Sequence, residues 1–249
     1  MKKISIFTII ALTVALLFTS CLNLIAKETV NGNGELTTKS ITISDFSKIE
    51  IETYVEVNFS QEQNPGSLEF TVDENLWEYY DIHTKDDVLY IKLKDEYKKQ
   101  VQLKATQSLL TVSSEQLVSI DIAGSSSFNF NTAFTSKELE IDLAGSSKIF
   151  ANNEPVEIEN CKIEIAGSAN IYLAGAIQKA NIEIAGSGNI EALGCEFAQL
   201  KIEIAGSGNI EAQVTDKLAV DIAGSGNVLY KGDPEVTKNI AGSGKVKKI

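Results

Sequence analysis

Six carboxylates recur at one position of a repeating unit: Asp121, Asp142, Glu164, Glu183, Glu203 and Asp221. Each stands between two aliphatic residues, so all six leave a β-strand on the same outward side. Two chemistries fit such a row. Oxygen ligands suit a weakly held cation such as calcium. Paired carboxylates also serve glycosidase or polysaccharide lyase reactions, which need a cleft, a shifted pKa and a basic or aromatic substrate platform. A regular row on a flat face offers no cleft, and the turns lack the aspartate-rich glycine pattern of calcium-binding β-helix repeats. The leading expectation is a solvated acidic face, with Lys162 and Lys201 placed two residues before Glu164 and Glu203 to neutralise them. Neighbouring charges near 5 Å apart repel by roughly 1 kcal/mol in water, so the row costs stability at low salt.

The remaining reactive residues are few. One histidine (His83) and three cysteines (Cys21, Cys161, Cys195) leave a Cys/His zinc site or a Ser-His-Asp arrangement short of parts. His83 follows Trp77, Tyr79 and Tyr80, a cluster that reads as a capping end or, less simply, as a carbohydrate-binding patch. Cys161 and Cys195 stand at different offsets within their units, five and ten residues before the Ala, and so should not stack; they read as small apolar fillers, or as a disulfide if loops bring them together. No catalytic residue, metal or cofactor is expected. A net charge of −12 and a pI near 4.7 argue against nucleic acid, whose phosphates require a basic face.

The elements that carry the row are legible from a repeat. Ala-Gly-Ser begins at Ala123, Ala144, Ala166, Ala185, Ala205, Ala223 and Ala241, at intervals of 21, 22, 19, 20, 18 and 18 residues. A motif with this period marks a solenoid. Three positions before the Ala stand Ile120, Ile141, Ile163, Ile182, Ile202 and Val220, with Lys238 breaking the series. Alternation of aliphatic and acidic residues predicts a strand with its aliphatics inward, and a second inward strand begins five positions after the Ala. Helix is disfavoured by the β-branched alternation and by glycine in every unit. Eleven of the 17 glycines lie in these motifs, which places corners there. The fold class is therefore all-β: a parallel β-helix of about 18–22 residues per turn. Ser125 and its equivalents are expected to form a hydroxyl ladder, and Asn170, Asn189, Asn209 and Asn227 an amide ladder. Length differences such as 151–160 should be surface loops.

Residues 118–249 hold the seven repeats, and 30–117 are expected to supply irregular rungs or a cap. Ile49-Glu50-Ile51, Leu68-Glu69-Phe70 and Leu89-Tyr90-Ile91 keep the rhythm there, for about eleven turns in all. Lysines at 245, 247 and 248 would deter edge-to-edge stacking at the far end. Asn33-Gly34, the segment Phe46-Ser47-Lys48-Ile49-Glu50-Ile51 and the Ile-Ala-Gly-Ser-Gly-Asn units together resemble the head GIN domain family of auto-transporter adhesin heads. The resemblance covers roughly residues 30 to 249. It implies a right-handed parallel β-helix, often on an envelope lipoprotein, and assigns no residue a role.

The first thirty residues read as an address. Lys2 and Lys3 precede the apolar run Ile4 to Phe18, which is too short to span a bilayer and suits a signal peptide at 1–20. The run ends Leu17-Phe18-Thr19-Ser20-Cys21, which resembles a bacterial lipobox with Cys21 as the lipidation site and 21–29 as a tether. Loss of Lys2 and Lys3 from the 22 basic residues leaves 20 against 34 acidic ones, a balance of −14. The expectation is a non-enzymatic, lipid-anchored cell-envelope β-helix that acts as an adhesin or binding protein. Its membrane contact would be the N-terminal lipid and its partner a glycan or an envelope protein. It would be an outer-membrane lipoprotein, and the absence of an acidic cluster after Cys21 mildly favours the periplasmic side over the surface. A periplasmic scaffold or envelope-homeostasis role is the second reading and a polysaccharide-acting β-helix enzyme the third.

Overall fold

Each copy of the repeat contributes one rung, and the rungs lie parallel with identical residues aligned. The computed structural model describes residues 27–249; the leader, Cys21 and the first part of the tether lie outside the described residues. From one rung to the next Ile120 pairs with Ile141, Ile163, Ile182, Ile202 and Val220 in turn. All six are buried, as are Phe128, Ile149, Ile171, Ile190, Ile210 and Val228 of the second inward column. Burying each such side chain contributes roughly 1.5–3 kcal/mol, so the aliphatic columns are the main source of stability. The result is a β-solenoid with fewer turns than the expected eleven.

The turn count falls because the N-terminal segment does not continue the stack in chain order. Strand Lys48–Ile51 lies between Val88–Leu93 on one side and Ser119–Gly124 on the other. Strand Glu56–Gln61 likewise lies between Ser108–Ser114 and Ser127–Phe130. Residues 48–61 therefore form the rung next to the repeats, and 88–114 form the rung beyond it. Leu68-Glu69-Phe70 belongs to neither. Its strand, Ser67–Asp73, runs antiparallel to Ser108–Ser114 and to Leu36–Thr42, while Tyr80–Lys85 runs antiparallel to Val88–Leu93. This antiparallel layer caps the outer rung, whose paired edges are no longer open to another chain. Phe59, Phe128, Phe130 and Phe134 pack together where the cap-side rungs meet the repeats, with ring centroids 4.9–6.2 Å apart.

At the repeat corner the glycine after each Ala has a positive φ, from +119° to +142°. A Cβ at Gly145, Gly167, Gly186, Gly206, Gly224 or Gly242 would also collide with the glycine carbonyl of the preceding rung. Only glycine meets both demands. The next residue uses its backbone: the N–H groups of Ser146, Ser168, Ser187, Ser207, Ser225 and Ser243 each donate to that carbonyl at 2.8–2.9 Å. The expected serine ladder is thus a backbone ladder, because the serine side chains lie exposed. Extra residues are absorbed differently from the expectation too. The insertion at 151–160 stays within the continuous strand Lys148–Gly167 as a register shift between Ala151 and Val156, instead of leaving as a loop. At the far end Glu235–Gly242 and Lys245–Lys248 have, among the described residues, a parallel neighbour on one side only, and Lys238 stands exposed where earlier rungs bury an aliphatic.

Candidate functional site

Strand alternation brings the six acidic residues into one straight row. Asp121, Asp142, Glu164, Glu183, Glu203 and Asp221 are consecutive partners in the parallel register. Glu50 extends the row beyond Asp121, an extension hidden in the sequence because 71 residues separate the two. Asn239 ends it at the opposite side. Two residues further on, the exposed Ala column forms an apolar margin. Together the rows bound an open groove of about 440 Å³ over Glu164, Glu183, Glu203 and Asp221.

Electrostatics divide the row. At the cap side burial, reinforced by Glu52, raises the Asp121 carboxyl above its ordinary value. Burial and the flanking Glu140 and Glu164 do the same to Asp142, whose Oδ1 is buried without a hydrogen-bond partner among the described residues. Glu50 is also raised, chiefly by burial and then by its contact with Glu52. Glu52 is held low instead, because the Lys98 ammonium donates to it. Further along, Lys162 Nζ reaches Glu140 Oε1 at 2.7 Å and Glu164 Oε1 at 2.8 Å, and Lys201 Nζ reaches Glu203 Oε1 at 2.5 Å. Both lysines are pulled to higher pKa by these carboxylates. Among the described residues no three His, Cys, Asp or Glu side chains converge as a metal-ligand set. Successive row members sit one rung apart and face outward, a geometry suited to a charged surface rather than to in-line acid–base work.

The next face carries the amide ladder. Asn189 Nδ2 donates to Asn170 Oδ1 at 3.1 Å, Asn209 to Asn189 at 3.0 Å and Asn227 to Asn209 at 3.0 Å. Beside it Phe150 and Tyr172 stack from neighbouring rungs, with centroids 5.1 Å apart and planes within 2°.

The aromatic cluster near His83 does not form one patch. Tyr80 is buried against Phe70 and lies 3.4 Å from the Ser108 hydroxyl; Trp77 packs edge-on to Phe70 beneath Lys39; Tyr79 meets Tyr97. His83 stacks on Tyr90, with its Nδ1 2.8 Å from Asp81 Oδ1. The cluster is split because Trp77 and Tyr79 lie on the short 3-10 helix Glu74–Tyr79, while Tyr80 and His83 lie on opposite faces of the strand Tyr80–Lys85 that follows. Cys161 and Cys195 are both buried free thiols, with burial pushing each up to about 12.

A second groove, unmarked by any motif, opens beside the acidic row. It measures about 550 Å³ and is lined by Lys48, Ser119, Glu138, Asn160, Lys179 and Asn181, among others. Its floor runs along a column in which Leu139, Cys161, Ala180 and Leu200 are successive partners. The two small residues in the middle of this column leave the depression.

Residues 45–234 match the family described as "Putative auto-transporter adhesin, head GIN domain". The chain belongs to that family. Its stacked rungs recur in solved structures of relatives. A structure described as a "putative lipid binding protein" from Parabacteroides distasonis is 28% identical, with a TM-score of 0.72, over 89% of this chain and all of that one. A "putative adhesin" from Parabacteroides merdae is 29% identical, with a TM-score of 0.63, over 89% of this chain and 99% of that one. A "putative adhesin" from Bacteroides fragilis shares the fold at a TM-score of 0.77 and 21% identity, over 88% of this chain and all of that one. No curated protein matches the chain. Among the described residues no helix is long and apolar enough to cross a membrane.

Proposed function

We propose that the protein is a non-enzymatic adhesin or binding protein of the cell envelope, tethered by lipid at Cys21 and presenting its solenoid sides to a glycan or an envelope protein. The observation that carries this reading is the alignment of outward side chains into fixed rows, such as the ladder Asn170–Asn189–Asn209–Asn227. Rows repeating at about 4.8 Å on a rigid core bind by distributed contact and lose little side-chain entropy. Family membership supports the same reading, and so does the geometry of the carboxylates, which form a line and not a cleft pair. The tether leaves from the capped end, since Glu28–Asn31 pairs with Val101–Lys104 between the two strands of the outer rung. The open end, with Lys238, Lys245 and Lys247, then faces away from the anchoring membrane.

Protease treatment of intact cells carrying a tagged chain tests the location. Digestion in intact cells supports adhesion, and protection until the outer membrane is permeabilised moves the reading to a periplasmic scaffold. Palmitate labelling that persists in Cys21→Ser removes the lipid anchor from the proposal. Vesicle flotation of the same variant checks lipid binding, the property by which the Parabacteroides distasonis relative is described.

A further inference from the structure

We infer that the groove over Cys161 and Ala180 is a binding site for an acidic sugar, a ligand that combines a carboxylate with hydroxyl groups. The inference rests on the binding reading above and names its ligand class and site. Register explains the cavity: Leu139 and Leu200 fill the floor column at its ends, whereas Cys161 and Ala180 leave it short of side-chain volume. The opening of about 550 Å³ lies within the range of small-ligand sites.

The polar groups around it state what the ligand must offer. Lys48 and Lys179 border the groove and, among the described residues, neither has a carboxylate within ion-pairing distance, while Lys162 is already committed to Glu140 and Glu164. These two free ammonium groups call for an anionic acceptor. Lys48, Lys162 and Lys179 match Glu138, Glu140 and Glu164 in number, so with Lys162 held by two carboxylates, Lys48 and Lys179 are the cations left to a ligand. Glu138 calls for the opposite, since a carboxylate only accepts. A bare phosphate or carboxylate would pair with the lysines but set its own charge against Glu138. Sugar hydroxyls supply the missing donors, and an acidic sugar satisfies both sets at once. Lys48 reaches the groove only because residues 48–61 form the rung beside Ser119.

The test is calorimetric titration of trigalacturonate into the full chain held in detergent, with maltotriose as the neutral comparison. Trigalacturonate is expected to bind and maltotriose to bind at least tenfold more weakly. Lys48→Ser and Lys179→Ser should each weaken trigalacturonate about tenfold, and Ala180→Leu, which fills the floor without changing charge, should abolish binding. Lys217→Ser, on the same outward column two rungs away from Lys179, should leave it unchanged. Circular dichroism melts of each variant report whether the fold is intact. Equal losses for Lys217→Ser and Lys179→Ser, or no trigalacturonate binding, overturn the inference. Chain-coated beads that still adhere to cells when trigalacturonate fails leave the adhesin reading standing; beads that adhere to nothing remove that as well.

Discussion

Asp73 and Gly34 are joined across the cap by a hydrogen bond from the Gly34 N–H to Asp73 Oδ1 at 2.8 Å, and the other carboxylate oxygen accepts from the Thr106 N–H at 2.7 Å. One buried carboxylate thereby ties the Asn33-Gly34 turn to the Thr106 turn between the two strands of the outer rung. Burial by itself would raise this carboxyl, but the backbone donors outweigh it and hold it below its ordinary 3.8. A lowered pKa means that stability is present above the unfolded value and is lost as pH falls through the folded one. Asp73→Ala is expected to cost about 2–4 kcal/mol in urea unfolding at pH 7, since two amides lose a charged acceptor. Its deficit against the wild type should shrink below pH 4, and a deficit independent of pH would refute the assigned role.

The acidic row predicts the opposite pH trend. Asp121 and Asp142 are raised, so their charged forms oppose folding at neutral pH, and stability should rise as pH falls through their folded values toward the ordinary 3.8. Asp142→Asn should raise the melting temperature at low salt, with the gain diminishing at 0.5 M salt. Thermal melts at two ionic strengths check this, and a lower melting temperature at low salt would count against net repulsion in the row.

Corner glycines separate two otherwise similar substitutions. Gly186 combines a φ of +139° with a carbonyl in the way of any Cβ, so Gly186→Ala should cost more than about 2 kcal/mol. Gly194 has no such φ, and a Cβ there would meet Ala174 Cβ at an ordinary 3.5 Å. Gly194→Ala is expected to lie within about 0.5 kcal/mol of the wild type. Denaturant midpoints of the pair decide the matter.

Asn189 sits inside the amide ladder, donating to Asn170 and accepting from Asn209. Asn189→Ala removes two side-chain hydrogen bonds, each contributing roughly 0.5–1.5 kcal/mol. Asn227 ends the ladder among the described residues, with one ladder bond and a longer 3.4 Å bond to the Ser225 carbonyl, so Asn227→Ala should cost less than Asn189→Ala in the same unfolding experiment.

Cys161 and Cys195 should resist modification in the folded protein, because burial holds both thiols near 12 and excludes the reagent. Dithionitrobenzoate at pH 8 should label neither within minutes and both in guanidinium. Rapid labelling of the native chain would place them outside the core.

The sequence by itself determined the repeat. Period-two alternation around Ile163-Glu164-Ile165 specifies which side is buried, and the motif interval sets the rung, so each unit finds its partner in the next copy of itself. That is why the aliphatic columns, the row from Asp121 to Asp221 and the asparagine ladder were legible without coordinates. Serine in the corner misled, because a hydroxyl advertises hydrogen bonding while the backbone N–H of Ser146 makes the bond. Tertiary structure decided what no period encodes. The placement of 48–61 between 88–114 and 119–130, the antiparallel cap, the tie from Asp73 to Gly34 and the arrival of Lys48 at the Ala180 groove all depend on pairings between unlike segments far apart in the chain. An alternating strand states which face it buries but not which strand lies beside it; edge hydrogen bonds carry no sequence label, and only the packing of the whole core selects the neighbour.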